Sequence, residues 1–268
     1  MSRYLCLFFI LLTSYSLKAE LIAYDLTDSG NQKLLDYQNQ FAEGFSSAQD
    51  AFHIIESADL LSAPEQFLDR SLQVADSLGL VDVTESNYIS SFVASDTVNS
   101  DHNLSSVSAT WSFDVSGYQN ISLSMAVAAM GDFESNDQFG FFYAFDGQIQ
   151  APLWTSVIDT RASHDYEVAD GKTVHLNDPL LINDNVISNR FSVLNLANLG
   201  SGDVLSLTFN ARTDGGNEVF AFNNLQVFGD VTPQANDNGV VAVSEPAGLF
   251  FMAFMMLIFT QLVRQDWF

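Results

Sequence analysis

The stretch Val219-Phe220-Ala221-Phe222-Asn223-Asn224-Leu225-Gln226-Val227-Phe228 decides the fold. Strand alternation puts Phe220, Phe222 and Phe228 on one face and Val219, Ala221, Leu225 and Val227 on the other. Both faces are apolar, so the pattern predicts a central strand covered on both sides, not an edge. Asn223 and Asn224 interrupt both faces at one point. Either a bulge turns them outward, or their amides bond buried backbone or an ion.

The same period recurs upstream. Ile121, Leu123, Met125 and Val127 alternate with Ser122, Ser124, Ala126 and Ala128. Phe139, Phe141, Tyr143 and Phe145 share one face, with Gly140, Phe142 and Ala144 on the other. Leu205, Leu207 and Phe209 line a further strand. Turn chemistry separates these runs at Ser116-Gly117, Asp146-Gly147, Ser201-Gly202-Asp203 and Asp214-Gly215-Gly216-Asn217. The fold read from this is all-β, an antiparallel β-sandwich over residues 20–230. Leu123, Met125, Phe141, Tyr143, Leu207, Phe209, Phe222 and Leu225 are expected in its core. One short helix is predicted after the cap Ser62-Ala63-Pro64-Glu65, ending at Gly79.

Composition narrows the function classes. The 268 residues carry 33 acids and 9 bases, a formal charge of −24, yet 47% are apolar. Such a chain has a core, and its charge opposes phosphate binding, which excludes nucleic acid as a partner. Residues 20–244 hold 31 of the acids, six of the bases and no cysteine, so the domain stands without disulfides. No His-Glu-x-x-His helix, Gly-x-Ser-x-Gly elbow or phosphate loop occurs, and no enzyme activity is expected.

Both ends read as targeting segments. Arg3, the apolar run Leu5 to Leu12 and the small Ala19 have the order of a signal peptide over residues 1–19. Residues 231–244 read as a linker, with a polar stretch from Thr232 to Gly239. Gly248 to Val263 is apolar and spans roughly 24 Å as a helix, with Arg264 as a cytoplasmic stop. The segment 245–268, with Ser244, Glu245, Pro246 and Arg264, resembles the Pro-Glu-Pro (PEP-CTERM) sorting signal of exosortase substrates in Gram-negative bacteria. Ser244 stands where that signal has its first proline, and a single Arg replaces the basic cluster. The resemblance implies export and an inner-membrane-anchored precursor. Signal peptidase and an exosortase-like enzyme would process it, and it would end on the cell surface or in the extracellular matrix. The alternative is a plain C-terminal membrane anchor.

The domain itself resembles the jelly-roll, lectin-like modules appended to secreted bacterial proteins. The matching stretches are Trp111 to Asn120, Gly131 to Asp137, Phe145-Asp146-Gly147, Thr213 to Glu218 and Ala221-Phe222-Asn223-Asn224-Leu225. In those modules the last strand reads Phe-Asp-Asn, and Asn223 takes the place of that Asp. The resemblance implies a non-catalytic surface module that binds glycan or matrix polymer, with extracellular polysaccharide as partner. The alternative is a structural acidic matrix protein without a specific ligand; a secreted hydrolase ranks behind both.

Calcium is the candidate cofactor, since it takes six to eight hard oxygen ligands. Asp132, Glu134 and Asp137 lie within six residues, and Asp214 and Glu218 flank a Gly-Gly turn. The resemblance adds Glu43, where related modules place an early-strand ligand beside the final strand, and Asn223. The alternative is that these acids merely solvate loops. For a polymer ligand, the segment Arg161 to Arg190 is the candidate loop. His164, Tyr166 and His175 within it, with Trp154 before it, supply rings for stacking. The other reading of Trp154 places it in the core.

Overall fold

A computed structural model describes residues 19–41, 51–55, 80, 90–97, 106–168, 171–215 and 218–233. The predicted helix over 62–79, Glu43, and the sorting residues Ser244, Glu245, Pro246 and Arg264 lie outside the described residues, as does nearly all of the signal peptide. Among the described residues no helix is long and apolar enough to cross a membrane. All the regular structure described is β, in antiparallel sheets that belong to the first of two units, residues 1–231.

The first sheet runs β14 (Ser192–Gly200), β7 (Tyr118–Gly131), β16 (Glu218–Val231), β1 (Glu20–Thr27) and β2 (Gly30–Gln32). Beside the first half of β16 it also holds β5 (Ser91–Ser95), which pairs in turn with β4 (Ala51–Ile55). The second sheet runs β13 (Asn185–Val186), β12 (Leu180–Ile182), β9 (Ala151–Ile158), β8 (Gln138–Phe145), β15 (Val204–Arg212), β6 (Val107–Asp114) and β3 (Leu34–Gln38). A separate hairpin joins β10 (Ser163–Glu167) to β11 (Thr173–Asn177).

The inner faces of the two sheets meet through aromatic rings. Phe222 packs edge-on against Phe141 at 5.1 Å and against Trp111 at 5.6 Å, and Phe220 stacks on Phe209 at 5.5 Å. These rings are fully buried, and each aromatic residue carries a large apolar area into a core that has no covalent crosslink to help it. Seven of the eight residues expected in the core are buried, and Tyr143 is half-buried against it. Trp111 keeps its indole N–H satisfied by donating to Asp25 Oδ2 at 2.9 Å.

The central strand behaves as its two apolar faces require. β16 pairs with β7 on one side, and on the other with β5 and then β1. The register shifts between Asn223 and Gln226, and Asn224 has φ +50°. The bulge of the first reading is present, but it does not turn Asn223 outward: Asn223 is 5% exposed and donates its amide to Ser91 Oγ at 3.2 Å. The extra residue inverts the alternation. Phe220 and Phe222 point between the sheets before the bulge, and Leu225 and Val227 do so after it.

The turns follow their residues too. Asp146 at φ +52° and Gly147 at φ +71° close the β8–β9 connection. Asp146 Oδ1 then accepts from the backbone N–H of Asp203 and Val204 at 3.0 and 2.8 Å. Gly202 is needed there, since a Cβ on it would come within 2.6 Å of the Asp146 carboxylate.

Candidate functional site

The loop between β7 and β8 and the loop between β15 and β16 meet, because Glu218 at the start of β16 pairs with Gly131 at the end of β7. The first loop is pinned by Phe133, fully buried against Phe139 at 6.0 Å. It closes as a turn in which the Asp137 N–H donates to Glu134 O at 3.0 Å and the Glu134 N–H to Asp137 Oδ2 at 2.6 Å. Asn136 Nδ2 reaches across to Asp214 Oδ2 at 3.0 Å. Carboxylate oxygens of Glu134, Asp137 and Asp214 thereby come within 4.8 Å of one another.

Glu218 joins them from below and is 2% exposed. Its Oε2 accepts from the Thr213 hydroxyl, and Thr213 is itself held by a 3.1 Å bond from its N–H to Thr97 Oγ1. Gly215 lies directly over this carboxyl, where a Cβ would sit 2.8 Å from Glu218 Cδ. Asp137 is 3% exposed, and its carboxyl shares side-chain hydrogen bonds with those of Glu134 and Glu218. Burial, then the neighbouring carboxyl groups, push both Glu218 and Asp137 above the usual carboxylate range. Thr213 opposes the shift at Glu218, and the Glu134 backbone N–H, then a hydrogen bond with the Glu218 carboxyl, oppose it at Asp137.

The structure thus brings together Glu134, Asp137, Asp214 and Glu218 of the expected metal ligands. Asp132 does not join them. It is exposed, and after burial the carboxylates of Asp178 and Glu134 raise its pKa. Asn223 does not join either, because it lies five residues further along β16 than Glu218, opposite Ala126 and not Gly131.

A cleft of about 290 Å³ opens on the outer face of the second sheet, over β8, β9 and β15. Outward positions of a strand alternate with core positions, so Gln138, Gly140 and Phe142 face out while Phe139 and Phe141 face in. The half-exposed Phe142 ring leans over Gly140, where a Cβ would meet its Cε2 at 3.0 Å. Around it stand Gln138, Thr155, Asn210 and Arg212, and among the described residues none that lines the cleft is acidic. The Arg212 Nε is buried without a hydrogen-bond partner. Cross-strand hydroxyl pairs extend the same face, Thr110 with Thr208 at 3.2 Å and Ser112 with Ser206 at 3.4 Å, and Gln150 Nε2 donates to Thr208 at 2.7 Å. The signal for this face was in the sequence: Phe142 is a large aromatic residue between Gly140 and Ala144 on the face opposite Phe139, Phe141, Tyr143 and Phe145.

The rings expected to bind ligand lie elsewhere, which corrects that expectation. Trp154 is 3% exposed and packs between the sheets against Phe220 at 5.6 Å and Phe141 at 5.8 Å. Tyr166 is fully buried, its hydroxyl without a partner, so burial raises its pKa first and Asp132 second. His164 is half-buried, edge-on to Tyr166 at 4.7 Å. His175 is exposed, its Nδ1 2.6 Å from Asp165 Oδ1. The segment is not an open binding loop. With Val168, Val174 and Leu176, Tyr166 forms a cover over Val93, Ala128, Met130, Val219 and Ala221 on the outer face of the first sheet.

No protein-family model matches the chain, and no curated protein matches it. Among solved structures it is similar to TmCBM61 in complex with β-1,4-galactotriose, with 8% identity over 55% of this chain and 73% of that one, TM-score 0.29. It is similar to the CBM22-1 xylan-binding domain of Xyn10C from Paenibacillus barcinonensis, with 9% identity over 75% and 96%, TM-score 0.28. It is also similar to a Stig cyclase from Fischerella sp. TAU, with 8% identity over 56% and 67%, TM-score 0.30. Similarity at this level leaves the ligand to be argued from the site itself.

Proposed function

We propose that this chain is an exported, non-catalytic module of jelly-roll type that binds a glycan or related polyhydroxylated polymer at the cell surface or in the matrix. The observation that carries the reading is the cleft on the second sheet. An aromatic ring suits the apolar face of a sugar, and amide, hydroxyl and guanidinium groups around it suit the hydroxyls.

The route to that place rests on the sequence. The signal peptide would bring the chain to signal peptidase. The segment 245–268 would hold it in the inner membrane until an exosortase-like enzyme cuts near Pro246. The mature domain is then residues 20–230 followed by the linker.

Glycan-array screening of the mature chain tests the function. Phe142→Ala and Arg212→Ala are expected to lower binding at least tenfold while the urea midpoint stays within the range of surface substitutions. Binding retained in both variants overturns the cleft as the site. Absence of binding by the wild-type chain to any glycan favours the structural matrix protein instead.

A further inference from the structure

We infer that the glycan taken by the cleft on the second sheet is an acidic one, its carboxylate or sulfate group held by Arg212. The inference rests on the reading of that cleft as the glycan site. Arg212 ends β15, follows the buried Ala211 and faces outward opposite Gln138 of β8. The side chain lines the cleft and is half-exposed, but its Nε is buried without a hydrogen-bond partner.

Other cations of the domain are matched within the chain. Arg190 has Glu167 at 4.0 Å, and Lys33 sits 4.6 Å over the Tyr118 ring. The acid nearest to Arg212 in the chain, Asp214, accepts instead from Asn136 Nδ2 at 3.0 Å. Burial of Nε takes water from one edge of the Arg212 guanidinium, and no acceptor replaces it there. A cation that has lost part of its hydration gains more from an arriving anion than a fully hydrated one does. The planar guanidinium also offers a fork of donors that fits a carboxylate or a sulfate better than an ammonium would.

The register places the anion site beside the ring. Phe142 lies opposite Thr208, Gly140 opposite Asn210 and Gln138 opposite Arg212. Successive outward residues of a strand are about 7 Å apart. The Phe142 ring leans over Gly140, so it reaches to within one such step of the Arg212 row. A sugar stacked on that ring carries a charged substituent on its rim toward the guanidinium. Gln138 and Asn210 beside it bring amides for hydroxyls and no competing charge.

Calorimetric titration of the purified full chain with matched oligosaccharides tests the inference. Oligogalacturonate is set against its methyl ester for the carboxylate, and a carrageenan oligosaccharide against its desulfated form for the sulfate. The acidic member of one pair is expected to bind at least about tenfold more tightly than its neutral partner, and that pair identifies the anion. The formal charge of −24 repels a polyanion at long range, so such a preference comes from a local contact. It should persist at about 0.15 M salt, where the long-range repulsion is screened. In Arg212→Gln the preference should shrink to within about twofold. Equal binding of acidic and neutral members by the wild type overturns the inference, and so does a preference left intact in Arg212→Gln. Failure of all four probes while neutral glycans bind on an array overturns the inference alone. Failure of every glycan removes the glycan reading beneath it as well.

Discussion

The outer faces of the two sheets have opposite surfaces built from the same alternation. On the first sheet the outward residues near the start of β16 are Val219 and Ala221, with Ala128 and Met130 beside them on β7, and the β10–β11 hairpin covers them. On the second sheet the outward residues of β6 and β15 are Ser108, Thr110, Ser112, Ser206, Thr208 and Asn210, and of the described side chains Gln150 reaches over them to Thr208. The small apolar face is finished inside the protein. The hydroxyl and amide face is left to solvent or to a partner. An outer face is thus decided by what it can satisfy alone: hydroxyls satisfy each other in cross-strand pairs, whereas alanine and valine need a lid.

The sharpest way to break this comparison is to place the same charge on each face. Ala221→Glu buries a carboxylate under the hairpin and should cost at least about 3 kcal/mol or abolish folding. Ser108→Glu on the open face should stay within about 0.5 kcal/mol. Urea midpoints of the two variants check this, and equal effects would mean that the hairpin does not cover the first sheet in solution.

A smaller effect of opposite sign is expected from Tyr166→Phe. The Tyr166 hydroxyl is buried without a partner, so removing it should stabilise the domain by about 1 kcal/mol. A loss of stability measured by urea unfolding would show that the hydroxyl has a hydrogen bond and that the lid sits differently.

The smallest effect concerns pH at the margin of the covered face. His53 on β4 is half-buried, and burial lowers its pKa. The unfolded chain then binds the proton more readily, so stability from this group is present above the unfolded value of about 6.5 and falls as pH drops below it. The wild-type urea midpoint should therefore fall slightly more between pH 7 and pH 5.5 than that of His53→Asn. Parallel curves would place His53 in full contact with water.

The strand interiors were legible in the sequence because alternation and turn residues are local. Phe220 and Phe222 could be assigned to a central strand, and the Asn223-Asn224 pair to a break in it, although only the structure chose the bulge. Trp154 was left open between a binding ring and a core ring, and Tyr166 was misplaced, for a definite reason. A ring among mixed neighbours reads equally as a binding ring or as a core ring, and what decides is the element packed over it, here β16 for Trp154 and the outer face of β5 and β7 for Tyr166. The acidic group was half legible. Glu134 and Asp137 are close in the chain, but their meeting with Asp214 and Glu218 depends on β7 pairing with β16, a contact about eighty residues apart that no local pattern encodes.

The pairing of the first and last strands has a mechanical consequence. Glu20 lies opposite Gly229, and β16 is held by β7 along one side and by β5 and β1 along the other. A pull entering through the C-terminal end of β16 acts along the strand. It loads the hydrogen bonds of both neighbours together in shear. A pull between residues 20 and 231 instead opens the β1–β16 pair from its end, one bond after another. The same domain is therefore stiff to a load borne by its last strand and weak to one that separates its two ends.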